Sequence, residues 1–315
     1  MEAPLQILTT TYQPATAPAL SVDVSYRLWG QPLGTAPLAV FCHTLTSNSL
    51  LAGPRGWWNK LVGEGLAVDL RHWSVLCLDV PGNGAAGTPS ADHLPWFNAL
   101  QTAEIFDTVL LALHLKRVEV LLGASVGGGV ALHMAALSPE RYEKVIVVAS
   151  DYRSSDWLVS HCQVQEALLQ HPVDPIEKAR AHAMLSYRTM EGINNRFKDQ
   201  YSATGSRASL EWLDYHGQSL KLRMQLDAYR RMNHVLRTID VPFAALVQSH
   251  AQYFHIATAS DGLFSFERSL HLHRLLLQSK VQSEFLQLES PHGHDGFLIE
   301  NQKMYEFLKP LFTYE

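Results

Sequence analysis

At 315 residues, 47% hydrophobic and only 17% charged, the chain can bury a large core as one big domain or two. Its formal net charge of −5 at pH 7 gives no electrostatic footprint for nucleic acid or for an anionic membrane surface. No run approaches the roughly 18 apolar residues of a membrane span. The opening MEAPLQILTTTYQPATAP lacks the basic stretch and long apolar segment of a signal peptide, so a cytoplasmic protein is expected.

In chain order, the first clear elements are Leu38–Cys42 (LAVFC) and Ser74–Leu78 (SVLCL), short apolar runs ending in turn-rich segments, as buried parallel strands do. Helical periodicity follows over Leu100–Leu115, then a strand at Val118–Leu122, a helix through Val130–Leu137 and a strand at Lys144–Ala149. This alternation predicts an α/β fold, a mostly parallel sheet with helices on both faces. It breaks at about Asp151. From there to about Asp240 the chain is helical and richer in charge and Gln. Strand signals return at Phe243–Val247 or Tyr253–Ala257, between which composition does not choose, and again at Glu284–Leu288. A last helix is expected over Gly296–Leu308, with Pro310 just beyond its end. The organisation predicted is a core of residues 1–152 and 240–315 interrupted by a helical cap, residues 153–239. Cys42, Cys77 and Cys162 cannot all pair, and reduced buried thiols are expected. The 16 histidines are scattered, and the sequence implies no metal or redox cofactor.

Chemistry concentrates at Gly123-Ala124-Ser125-Val126-Gly127, a G-x-S-x-G turn between the Val118–Leu122 strand and the helix after it. It is neither the dinucleotide fingerprint G-x-G-x-x-G nor a P-loop. Between a strand and a helix, G-x-S-x-G holds a serine on a strained turn, where small neighbours let the chain bend. A serine nucleophile needs a base, and the base an orienting acid, here in the order serine, acid, histidine. The returning core offers Asp261 in ATASDGLFSF, and His292 and His294 in SPHGHDGFLIE. Taken alone, Asp261 is equally a turn or N-cap residue, and residue type does not choose between the histidines.

The chain resembles the homoserine O-acetyltransferase family of α/β-hydrolase-fold acyltransferases. The resemblance is carried by HTLTSNSLLAG, GWWNKLVGEGLAVD, GASVGG, ARAHAMLSYRT, WLDYHGQSLKLRMQLDAYRRM, SDGLFSFERS and SPHGHDGFLIE, in order from about Tyr26 to Glu300. It implies a Ser125–His294–Asp261 triad, with His294 taken because it is the histidine of Gly-His-Asp, and leaves His292 structural. Geometry and resemblance together place the oxyanion donors at the backbone N–H groups of Val126, on a helix N-terminus, and of Leu45, within His43-Thr44-Leu45-Thr46. His43, at a strand end, is expected to brace that loop. For an amino-acid acceptor the resemblance implies Arg180, Tyr187 and Asp295. A zwitterion does need a guanidinium for its carboxylate and a carboxylate for its ammonium, and a spacing of seven puts Arg180 and Tyr187 on one helical face.

The reaction so implied is transfer of an acyl group, acetyl or succinyl, from acyl-CoA as co-substrate to the hydroxyl of L-homoserine, within methionine biosynthesis. Partners are these small molecules, with no nucleic acid and no membrane, and the family's habit implies a homodimer through the insertion. Some segments depart from the family pattern. Where the family has LGGCYGSTGP, this chain has VPGNGAAGTPSADHLPW, and Ala124 and Val126 replace Gly and Met beside the serine. Ala85–Pro95 is expected to border the acyl pocket. Loss of a donor pocket there would favour an esterase using the same triad with water. A non-catalytic binding protein on this fold would require a triad member to be missing.

Overall fold

Leu38–Cys42 and Ser74–Leu78 are buried at every residue, a pattern that requires a strand covered on both faces. The computed structural model describes residues 2–313. In chain order its strands are β1 (Gln6–Tyr12), β2 (Leu20–Gly30), β3 (Leu38–Cys42), β4 (Val62–Gly63), β5 (Val68–Asp69), β6 (Ser74–Leu78), β7 (Val118–Ala124), β8 (Tyr142–Val148), β9 (Gln252–Thr258) and β10 (Ser283–Leu288). The main sheet runs β1-β2-β6-β3-β7-β8-β9-β10. It is antiparallel at β1/β2 and β2/β6 and parallel at every later pairing.

Side chains alternate across this sheet. Val40, Cys42, Leu76, Leu78 and Leu121 enter one core, while Ala39, Phe41, Val75, Cys77 and Leu122 enter the other. The first core is covered by α1 (Ala99–Ala112) and α2 (Val126–Leu137). The second takes Trp58, Trp73 and the C-terminal helix residues Met304 and Leu308. β3 lies between β6 and β7, so the loops leaving β3 and β7 emerge side by side at the C-terminal edge of the sheet, where α/β folds place their sites.

A helical block separates β8 from β9: α3 (Asp156–Leu169), α4 (Pro175–Tyr187), α5 (Met190–Phe197), α6 (Ala208–Lys221) and α7 (Leu226–Arg237). Its two ends meet. Ser154 N–H donates to the Ile239 carbonyl and Val241 N–H to the Tyr152 carbonyl, both at 2.8 Å. Between them Arg153 Nε reaches Asp240 Oδ1 at 2.7 Å. Among the described residues no helix is long and apolar enough to cross a membrane. Cys42, Cys77 and Cys162 are buried free thiols, and burial raises each above its ordinary range, Cys162 to about 12.

Three local expectations need correction or a decision. Tyr253–Ala257 lies within β9, whereas Phe243–Leu246 is a single helical turn, α8, following Pro242. The helix expected to reach Leu115 stops at Ala112, since His114 takes a left-handed φ of 58° that a helix cannot carry. After α9 (Phe266–Gln278), the expected helix over Gly296–Leu308 is two: α10 (Gly296–Ile299) and α11 (Asn301–Leu311), broken at Glu300, ψ 56°. The break lets Phe297 pack beside His294 while Met304 and Leu308 face the sheet. Pro310 lies inside α11 rather than beyond it. In the last turn its missing N–H removes a single hydrogen bond, and Lys144 Nζ donates to the Leu311 carbonyl at 3.0 Å.

Candidate active site

The turn after β7 is as tight as its glycines suggest. A Cβ on Gly123 would lie 2.1 Å from the Gly127 carbonyl oxygen, and one on Gly127 would lie 2.2 Å from that of Cys42. Only glycine fits either place. Between them Ser125 adopts φ 55°, ψ −126°, a conformation costly for a residue with a side chain. Ser125 N–H donates to the Val148 carbonyl at 2.9 Å and its own carbonyl takes Gly128 N–H at 2.9 Å. The strained serine is therefore held on both sides.

His294 and Asp261 meet Ser125 there. His294 lies in a short 3₁₀ turn (Gly293–Asp295) after β10, and Asp261 in the loop after β9. His294 Nδ1 is 2.7 Å from Asp261 Oδ2 and Nε2 is 2.9 Å from Ser125 Oγ. A carboxylate only accepts, which puts the proton on Nδ1 and leaves Nε2 to accept from the serine hydroxyl. Asp261 Oδ1 takes the N–H groups of Leu263 and Phe264 at 2.7 and 3.0 Å, so its turn-forming and histidine-facing oxygens are separate. Burial pulls the His294 imidazole down, but the charge and hydrogen bond of Asp261, with Asp295 adding to them, leave it above its ordinary value. The ring packs among Tyr187, Phe264 and Phe297. His292 is half-buried and stands apart from this set, its backbone N–H on Ser290 Oγ.

The loop after β3 forms a turn over Thr44–Ser47, closed by Ser47 N–H on the Thr44 carbonyl at 3.3 Å. His43 Nδ1 donates to the same carbonyl at 2.8 Å, and Nε2 accepts from Val80 N–H at 3.1 Å. His43 thus spans two loops. Burial holds its ring below the ordinary histidine range against the pull of Asp79, and a neutral ring suits this bonding. Sequence reasoning missed Asp79, whose buried carboxylate takes Ser25 Oγ, Ser49 N–H and Oγ, and Asn83 Nδ2 at 2.7–3.0 Å. Among the described residues, neither Leu45 N–H nor Val126 N–H, the latter opening α2, has a hydrogen-bond partner.

Leu45, Ser125, Arg180, Tyr187, His294 and Asp295 line one small chamber of about 50 Å³. A larger outer cavity of about 500 Å³ shares Thr44, Thr46, Arg180 and Leu298 with it and is bordered by Ala85 and Ala86. Arg180 lies 5.5 Å from the Tyr187 ring, and its buried Nε has no partner among the described residues. Asp295 is not free: Arg188 Nε donates to its Oδ2 at 2.7 Å. Arg188, next to Tyr187 in sequence, is the second residue that sequence reasoning missed. Nothing in its local pattern marks it, because its partner lies 107 positions away.

The profile of the α/β-hydrolase fold matches residues 37–253. Relatives named homoserine O-acetyltransferase align over most of the chain. That of Chlorobium chlorochromatii is 27% identical over 94% of this chain and 92% of its own. That of Deinococcus radiodurans is 28% identical over 90% and 84%. Among solved structures, a homoserine O-acetyltransferase from Bacillus anthracis superposes with a TM-score of 0.85 at 15% identity, covering 100% of this chain and 99% of that one. Esterase E22 superposes at 0.87 and 13% identity, covering 99% and 100%. Both solved structures speak to the fold.

Proposed function

The chain belongs to the α/β-hydrolase fold family, and from that premise we propose that it is an O-acyltransferase moving an acyl group from acyl-CoA to L-homoserine. The observation that carries transfer over hydrolysis is Arg180, a guanidinium in the wall of the Ser125 chamber with a buried, unpartnered Nε. Water needs no such group; an acceptor carboxylate does. The names of the aligned relatives point the same way.

In this reading Ser125 Oγ attacks the thioester carbon while its proton passes to His294 Nε2. The carbonyl oxygen becomes an oxyanion on the N–H groups of Leu45 and Val126. The C–S bond breaks, and CoA leaves as a thiol with the proton from His294. The homoserine hydroxyl then gives its proton to His294 and attacks the acyl-serine, and Ser125 leaves protonated. Asp261 keeps the Nδ1–H tautomer and stabilises the imidazolium at each step. Arg180 and Tyr187 hold the acceptor, its ammonium beside Asp295. The outer cavity is where the rest of the donor would lie.

One observation favours a second reading, an esterase with water as acceptor. Asp295, the group assigned to the ammonium, is already bonded to Arg188.

Purified protein with acetyl-CoA and a panel of amino-acid acceptors separates the two. With Arg180→Ala, loss of a hydrogen bond to a charged group, about 1.5–3 kcal/mol, should lower acceptor kcat/KM about ten- to two-hundred-fold. The burst of free CoA should remain equal to the enzyme concentration, and mass spectrometry should find the acyl group on the Ser125 peptide. Ester hydrolysis with homoserine ignored would establish the esterase.

A further inference from the structure

One side chain of the helical block reaches the loop that carries Leu45. Arg223, between α6 and α7, donates from Nη1 to the Thr46 carbonyl at 2.6 Å. The peptide unit holding that carbonyl also holds Ser47 N–H, which donates to the Thr44 carbonyl. The Thr44–Leu45 peptide in turn holds Leu45 N–H, unpartnered in the turn whose residue lines the Ser125 chamber. All peptides here are trans, so each unit's C=O and N–H point in opposite directions. Each therefore accepts at one end and donates at the other.

We infer that Arg223 is a positioning residue for the oxyanion hole, acting through a chain of two peptide units that ends at Leu45 N–H. The inference rests on the reading of Leu45 as an oxyanion donor. Hydrogen bonds in series polarise one another, and a cation at the accepting end turns each dipole so that its positive end faces the chamber. That is where the carbonyl oxygen of a bound acyl group gains charge in the transition state. Arg223 is suited to this because, among the described residues, no carboxylate pairs with its guanidinium, so its charge is not spent elsewhere. His43 and the Ser47 hydroxyl bond the same Thr44 carbonyl and fix the peptide plane, but they are neutral. The charge comes from the helical block, so the donor is complete only when that block is seated.

The test uses p-nitrophenyl acetate as acyl donor, reading the burst of p-nitrophenolate, and a trifluoromethyl ketone that adds to Ser125 as a tetrahedral oxyanion. Removing a whole oxyanion donor costs about a hundred- to a thousand-fold, so weakening one should cost less, about ten-fold. Arg223→Met should slow acylation by about that factor and weaken the ketone equally, with KM for the ester unchanged. The ionisation of the ketone adduct, followed by carbon-13 NMR, should rise by about one pH unit. Because Arg223 is exposed, added methylguanidinium should restore part of the rate. Arg223→Gln keeps an N–H donor without the charge, and it too should lose acylation rate and raise the adduct's ionisation. Wild-type rates and an unmoved adduct ionisation in Arg223→Gln would overturn the inference and leave a mere strap. A wild-type protein with no Ser125-dependent burst, judged against Ser125→Ala, would overturn the proposed chemistry and the relay together.

Discussion

Arg188 and Asp295 form an ion pair across the boundary between the helical block and the core, Nε to Oδ2 at 2.7 Å, with side chains only 15% and 12% exposed. Arg188 also lies 5.7 Å from the Trp212 ring of α6. The carboxylate next to His294 in sequence is thereby tied, through Arg188, to the end of α4 and to Trp212 of α6.

Arg188→Met should therefore destabilise the fold by more than a surface pair would. Removing one partner of a buried pair typically costs about 3–5 kcal/mol, and the residual exposure here lowers the expectation to about 2–3 kcal/mol in urea unfolding. The double variant Arg188→Met/Asp295→Asn should recover part of the loss, because no lone charge is left. Additive effects of the two single changes would mean the pair is not coupled.

The acylation rate should follow the neutral form of His294. Since burial is outweighed by the charge and hydrogen bond of Asp261, with Asp295 adding to them, and the ring stays above its ordinary value, kcat/KM for the ester should fall as pH drops through a point above about 6.5. Asp261→Asn removes both the charge and the hydrogen bond that raise the ring, so the midpoint should move down while kcat drops by about ten-thousand-fold. His292→Ala should leave the midpoint where it is. A midpoint unmoved in Asp261→Asn would assign the titration to some other group.

His255, on β9, gives a prediction about stability alone. Both ring nitrogens are buried without partners, and burial, with His273 adding to it, depresses the ring to about 3. At pH values between about 3 and the ordinary histidine value near 6.5, the unfolded chain binds a proton that the folded one refuses. Stability linked to this ring is thus complete above about 6.5 and declines as pH falls toward 3. His255→Leu should remove that acid-side decline and raise stability at pH 7 by about 1–2 kcal/mol, since a buried polar ring without partners is costly. Urea midpoints at pH 5 and pH 7 decide it. A loss of stability at both would mean that packing against Tyr253 and His273 outweighs the polar penalty.

The parts legible in the sequence are those whose cause is local. Gly123 and Gly127 flank Ser125 because the turn admits no Cβ, and a strand and helix on either side mark the context. β3 and β6 announce themselves as unbroken apolar runs because both faces of the sheet are covered. FAALV and YFHIA, by contrast, are equally apolar, and only pairing with β8 and β10 makes the second a strand. β1 and β2 escaped notice because their partly exposed, alternating residues give a weak signal. Arg188, Asp79 and Arg223 could not be found by spacing, since, Asn83 beside Asp79 apart, their hydrogen-bond partners stand 107, 54 or 30, and 177 positions away. Resemblance pointed to Arg180, Tyr187 and Asp295, but nothing in the sequence said that Asp295 is shared.

Arg153 and Asp240 are 87 positions apart and touch, which makes the helical block a detour with a single gate. A chain of that kind can be shortened or exchanged at the gate without re-threading the sheet, because β8 and β9 are already neighbours on either side of it. The block can therefore be changed apart from the sheet wherever its ties to the core, Arg188 to Asp295 and Arg223 to the Thr46 carbonyl, are kept.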